Sequence, residues 1–314
     1  MNKKVVVFGG GTGLSTLLRG LKLYPIDITA IVSVCDDGSS TGKLREEFHI
    51  PAVGDIRKVL IALSEDEPLI KDLLDYRFKT SSDLNGHAVG NLLLTATTNM
   101  NGSVSKGIES LSKIFKLKGK ILPLTDENIT LKALMEDGEV VSGEHYITED
   151  KRKILKIFYD KSPKANKDAI KAIKEADLIV LSMGSLFTSI LPNLICDDII
   201  KAIDNSNAKI LYVCNMMTQP GETDNFGVSD HVKVINEYLG DRKLNAVITN
   251  NGKISKKIIE KYETSEQKNP VINDIKTSKK INVIEDNLVI IEDEVIRHDY
   301  ILLGYHVFSY LLKM

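Results

Sequence analysis

The chain has 314 residues, with 41 Lys plus Arg against 43 Asp plus Glu and a net charge of −2. That length supports one large domain or two modest ones around a substantial core, and the balanced charge gives no global pull toward nucleic acid or an anionic membrane. Three widely spaced cysteines without a CxxC pair, Cys35, Cys196 and Cys214, argue against a disulfide framework or a zinc site.

The first apolar run, residues 4–8 (KVVVF), predicts a buried strand. It is too short for a signal-peptide core, which points to a cytoplasmic protein. It runs directly into Gly9-Gly10-Gly11-Thr12-Gly13, with a helix expected from about Leu14. A strand, a glycine turn and a helix N-terminus present backbone N–H groups to an anion. Gly10, Gly11, Thr12 and Gly13 are therefore candidate phosphate-binding residues, with a purely structural turn as the alternative. The dinucleotide fingerprint GxGxxG fails, because its third glycine falls on Leu14 or Thr16.

A second strand over 28–34 ends in Cys35-Asp36-Asp37-Gly38. Asp36 and Asp37 stand where an acid reads a ribose hydroxyl or holds a metal; the alternative is an Asx turn capping a helix over 40–48. A Walker A loop is excluded, since Gly38 to Gly42-Lys43 is one residue short and Leu44 replaces the hydroxyl.

Helical patterns follow over 55–63, 68–78, 88–99 and 104–116. Asp55 reads as an N-cap, and Arg57 as either a phosphate clamp or a surface arginine. Gly86 and Gly90 bracket His87, which would share a helical face with Asn91 and be either structural or a base. Residues 121–147 read as short strands around Asp137-Gly138, a lid, a subdomain or an oligomer contact. Residues 151–174 hold nine Lys/Arg against two Asp; together with 253–280 they read as solvated basic helix faces. Their few aromatics, Phe158, Tyr159 and Tyr262, do not alternate with the lysines as a nucleic-acid platform would require.

Strands are expected again at 178–182, 209–213 and 244–249. Strands alternating with helices predict an α/β fold, a mainly parallel sheet covered on both faces, with ligands beyond the carboxyl ends of the strands. The uncharged stretch Leu178 to Cys196 carries Ser182, Gly184, Ser185, Thr188, Pro192 and Asn193, so a strand, a loop and a helix start explain it better than a membrane span.

The segments GGGTG (9–13), DDGSSTGKLR (36–45), GDIRKVL (54–60), GHAVGNLLL (86–94), GSLFTSILPNL (184–194), NMMTQPGET (215–223) and RHD (297–299) occur in an order that resembles the gluconeogenesis factor, or YvcK-type, family. That family lies within the CofD-like superfamily of 2-phospho-L-lactate transferases. The resemblance spans essentially the whole chain and implies one Rossmann-like, three-layer domain over 1–314, with helices and short strands inserted at about 55–150. It implies a cytoplasmic bacterial protein that binds UDP-N-acetylglucosamine, requires no cofactor and regulates a partner such as the glutamine:fructose-6-phosphate amidotransferase. The alternative is a magnesium-dependent transferase on the same scaffold, with Asp36 or Asp37 on the metal and His87 as a base. By motif the resemblance places Gly10, Gly11, Thr12, Gly13, Asp36, Asp37, Arg57, Asn91, Gly184, Ser185, Thr188, Asn215, Thr218, Gln219 and Glu222 around one pocket. Tyr262 and Arg297 would complete its nucleotide or sugar end. The chain departs from the family pattern at Val53 and Met183, where proline is usual, and at Phe187, where tyrosine is.

Overall fold

The computed structural model describes residues 2–314. Its first strand, β1 (Lys3–Gly9), is buried from Val5 to Gly9 on both faces, as befits a strand covered by helices above and below. It leads through α1 (Gly11–Leu21) to β2 (Ile26–Val32). Five helices then intervene: α2 (Ser39–Phe48), α3 (Gly54–Leu63), α4 (Glu67–Asp75), α5 (Val89–Asn101) and α6 (Val104–Phe115). The chain returns to the sheet as β3 (Lys120–Pro123), parallel to β2.

Next come β4 (Leu131–Met135), β5 (Val140–Ser142), α7 (Glu144–Glu149) and β6 (Ile154–Tyr159), where β4 pairs antiparallel with both neighbours in a small separate sheet. The second half of the main sheet follows as α8 (Lys167–Glu175), β7 (Leu178–Leu181), α9 (Leu191–Leu194), α10 (Asp197–Asp204), β8 (Lys209–Val213), α11 (Val228–Tyr238), β9 (Ala246–Asn250), α12 (Lys256–Glu266) and β10 (Asn282–Asp286). A hairpin of β11 (Val289–Glu292) and β12 (Val295–His298) precedes α13 (Tyr300–Leu312).

The seven-stranded sheet runs β10-β9-β8-β7-β1-β2-β3, all parallel. The chain moves outward from β1 to β3, then re-enters beside β1 as β7 and moves outward the other way. This reversal is a topological switch point, where the loops leaving β1 and β7 part and open a crevice beyond the strand ends. The expected α/β Rossmann-like fold is therefore the observed one.

Several boundaries differ from the sequence reading. Helix α1 begins at Gly11 rather than near Leu14, so Gly11 to Gly13 form its first turn. Residues 154–159 are a strand and not part of a basic helix; helix resumes only at Lys167. A bulge between Leu134 and Met135 lets Ile154 and Ile157 both face inward, a spacing of three that imitates helical periodicity. The Asp137-Gly138 turn does join β4 to β5, with Gly138 at φ +88, whereas Ile121 to Pro123 belong to the main sheet. Residues 282–298, which the sequence reading left without strands, supply β10 and the β11–β12 hairpin.

Candidate functional site

At the first wall of the crevice, Gly10 is extended (φ −149) and Gly11 turns to φ +60 to open α1. A side chain at Gly13 would bring its Cβ to 1.8 Å from the Met183 carbonyl oxygen. Gly13 therefore allows the first turn of α1 to lie against the loop after β7, the packing job that a dinucleotide fold gives to its third glycine. A Cβ at Gly9 would meet Ser182 Oγ at 2.1 Å. That hydroxyl is buried without a hydrogen-bond partner. Thr12 is exposed on the first turn, and its carbonyl accepts the Ser15 and Thr16 hydroxyls.

Asp55 is not an N-cap: α3 begins at Gly54 after Val53, and the Asp55 side chain crosses to the start of α1. There its carboxylate faces the backbone of Gly10 and Gly11, with Lys58 Nζ 3.2 Å from Oδ1. Burial pushes this carboxyl up, and Lys58 holds it down. A carboxylate at a helix N-terminus is electrostatically favoured, so Asp55 fills part of the place a ligand anion would take.

Asp36 and Asp37 point apart. Asp36 Oδ1 accepts the Gly38 N–H (3.0 Å), the Asx turn offered by the alternative reading, and its other oxygen faces Gly54. Asp37 Oδ1 accepts the His145 N–H (2.8 Å) at the start of α7 and so ties the small sheet to the main one. The pair does not converge on one metal position. Among the described residues, no group of three or more His, Cys, Asp or Glu has a metal-holding arrangement.

Glu144, missed by the sequence reading, enters the crevice from α7. Burial, reinforced by the charge of Asp36, pushes its carboxyl up to about 7, opposed by the neighbouring Thr188 hydroxyl and by the hydrogen bond from Thr148 (3.2 Å). Arg57 is buried under Gly90, with Nε 3.5 Å from Asp75 Oδ1 and neither Nε nor Nη1 hydrogen-bonded. His87 precedes α5 rather than sharing a helical face with Asn91. The two meet instead through Ser40 Oγ, 3.0 Å from His87 Nδ1 and 3.2 Å from Asn91 Nδ2. Asn91 Oδ1 is left buried and unpartnered.

The second wall follows β7. Gly184 (φ +156) is gripped at both backbone groups by Asn215: its N–H donates to Oδ1 (2.9 Å), and Nδ2 donates to its carbonyl (2.6 Å). Ser185 caps a π-helical turn over Leu186–Ile190, its Oγ accepting from the Thr188 N–H (3.0 Å) and hydroxyl (2.6 Å) and donating to Glu222. Glu222 also accepts the Phe187 N–H (3.0 Å). It is buried behind the turn, which pushes its carboxyl up while Ser185 opposes that rise. Thr218 is bound to Asn269 through its N–H (2.8 Å) and hydroxyl (2.9 Å), and the Gln219 N–H donates to Thr223 Oγ1. The side chains of Thr218 and Glu222 are thus occupied in holding the loop.

Tyr262 lies on α12 and Arg297 on β12. The Tyr262 hydroxyl accepts the Ile296 N–H (3.0 Å), fastening α12 to the last hairpin, and Arg297 is exposed, 4.0 Å from Glu292. In the same RHD motif, His298 Nε2 lies 3.2 Å from the Cys214 carbonyl, and burial pushes its imidazole down to about 4. Asp299 caps α13. A cavity of about 260 Å³, lined by Met216, Asn250, Asn251, Ile259, Pro270 and Asn273 among others, lies past the ends of β8 and β9.

The chain resembles known proteins in sequence and in fold. Residues 5–289 match the model of the family described as 2-phospho-L-lactate transferase CofD. The chain is 46% identical over 303 residues to a protein of Bacillus subtilis named gluconeogenesis factor, covering 94% of each. It is 45% identical over 300 residues to a protein of that name from Halalkalibacterium halodurans, covering 95% of this chain and 93% of the relative. A crystal structure of a Bacillus halodurans protein superposes with a TM-score of 0.93 at 43% identity, covering 99% of this chain and all of that one.

Proposed function

We propose a function from one premise: the chain belongs to the gluconeogenesis factor family, within the wider CofD family. We propose that it binds UDP-N-acetylglucosamine in the crevice between β1 and β7, without a required cofactor, and acts as a regulator in the cytoplasm. Its output would be contact with an enzyme of amino-sugar synthesis, the amidotransferase, sustaining wall-precursor supply and cell shape on gluconeogenic carbon. The observation that carries the binding reading is a set of buried polar atoms without partners on the elements that border the crevice. They are Ser182 Oγ, Asn91 Oδ1 and Arg57 Nη1. Each is costly unless something pairs with it, and donors beside the N-terminus of α1 suit a diphosphate.

The second reading, a magnesium-dependent transferase, is favoured by the contact of His87 with Ser40, which could serve proton transfer. The divergence of Asp36 and Asp37 weighs against the metal site that reading drew from them. Thermal shift with UDP-N-acetylglucosamine, UDP, GDP and NAD(P), each with and without magnesium, separates the two. A ligand at a hundredfold its Kd adds about 2.7 kcal/mol, a rise of roughly 5 °C for a chain of this size. A response to GDP plus magnesium with none to any UDP-sugar would sink the regulator reading.

A further inference from the structure

We propose that the open edge of β6 is a docking site for an acidic, extended segment of a partner protein, which adds to the small sheet as a further strand. Such docking does not depend on which ligand the crevice takes.

β6 ends the strand order β5-β4-β6: it pairs antiparallel with β4 and, among the described residues, has no strand on its other side. The phase of the pairing decides which backbone groups face outward. The Asp160 N–H donates to the Thr130 carbonyl (3.0 Å), so Phe158 also bonds toward β4, and the alternate residues Ile157 and Tyr159 turn their N–H and C=O groups away from it. These two sets stand about 7 Å apart, the repeat that an added strand matches. At Ile157 the backbone is faced by the Tyr238 hydroxyl, from the end of α11, which stands where a carbonyl of the added strand would come. Tyr159 is the open position.

A groove of about 540 Å³ runs along this edge. It is lined by four consecutive residues of β6, Lys156 to Tyr159. Successive side chains point to opposite faces of a strand, so a groove that meets all four lies along the edge and not on one face. Leu194, Ile195 and Ile200 line it from the start of α10 and the loop before it, an apolar wall for alternate side chains of an incoming strand.

Charge selects the occupant. Lys156 and Lys201 line the groove, are exposed and form no ion pair among the described residues, and Lys161 beside them is 3.8 Å from Glu127. Asp197 and Glu237 also line it, which leaves the lysines in excess by one. Two copies of this edge would set lysine against lysine, and like charges across a strand pair are destabilising. An acidic chain meets no such repulsion. The edge is also tied to the crevice, since the Tyr159 hydroxyl donates to the Pro192 carbonyl (2.6 Å) in α9, the helix that continues the π-helical turn.

The test is fluorescence anisotropy of a labelled, end-blocked peptide of alternating glutamate and valine, as long as β6, titrated with the full chain, with amide exchange read over 155–160. The comparators are its fully N-methylated analogue, its lysine–valine counterpart, and the double variant Lys156→Glu with Lys201→Glu. If the double variant melts below wild type, Lys201→Glu alone is read instead. The expected outcome is saturable binding of the glutamate peptide, slowed exchange at 155–160, at least tenfold weaker binding to the variant, and no binding of either altered peptide. Equal binding of the N-methylated peptide overturns strand addition in favour of a site for small acids. No saturable binding, or binding without slowed exchange at 155–160, overturns the edge as the site. A wild-type dimer in sedimentation that the variant dissociates overturns the acidic partner in favour of a second copy.

Discussion

Glycines 11 and 13 stand two residues apart and do different work, and substitutions separate the two. Gly11 is at φ +60, where an L side chain costs roughly 1–2 kcal/mol. Its substitution by valine is expected to leave a folded protein with a lower melting temperature and no measurable UDP-sugar binding by calorimetry. Gly13→Ala faces backbone at 1.8 Å and must push α1 from the β7 loop. It is expected to lose more stability than Gly11→Val, and the opposite order of melting temperatures would refute this division of labour. Glu144 provides the pH signature. Its folded carboxyl lies at about 7, above its unfolded value, so the native state holds the extra proton between the two. Native stability then falls as pH rises from about 4.5 through 7, the interval over which the unfolded chain has already lost that proton. Glu144→Gln should flatten the decline in melting temperature across that window; unchanged curves would show that Glu144 is not its source.

At the level of elements, the caps and turns explain which parts of the chain could be read from sequence. Asp299 accepts the Ile301 (2.9 Å) and Leu302 (3.1 Å) N–H groups at the start of α13. Asp299→Ala is accordingly expected to cost about 1 kcal/mol in chemical denaturation, with ligand affinity unchanged. The strands β1, β2, β7, β8 and β9 were legible because buried β-branched runs end abruptly in polar loops. The β11–β12 hairpin was not: its turn residues Asp293 (φ 50) and Glu294 (φ 60) both adopt the left-handed conformation without the glycine or asparagine that normally announces it. The candidate site shows the same division. Glycine motifs marked where β1 and β7 end, but Gly11 to Gly13 already belong to α1, and the partner of each side chain depends on helices far away in sequence. Asp55 looked like a local cap and instead faces the start of α1, and Asp37, read as a ligand residue, also holds α7 through its Oδ1. Glu144 carried no motif, and only the folding of the small sheet over the crevice brings it there.

For the molecule as a whole, the sheet reversal at β1 and β7 determines how a ligand is felt. One side of the crevice belongs to the chain's first turn and to α3 and α5, the other to the loops after β7 and β8, and the small sheet closes over both. That closure includes Asp37 with the His145 N–H (2.8 Å), Thr148 with Thr188 (3.4 Å), the Ile154 N–H with the Gly221 carbonyl (3.2 Å) and the Tyr159 hydroxyl on the Pro192 carbonyl (2.6 Å). On the proposed function, a ligand in the crevice would touch groups already joined to α7, so binding should slow local opening well beyond the atoms it contacts. Hydrogen exchange with UDP-N-acetylglucosamine is therefore expected to show added protection at 9–13, 184–188 and 143–150 together. Protection confined to 9–13 would mean a ligand held by the glycine turn alone. In that case α7 would not report occupancy, and a partner protein would have to read the ligand from some other surface.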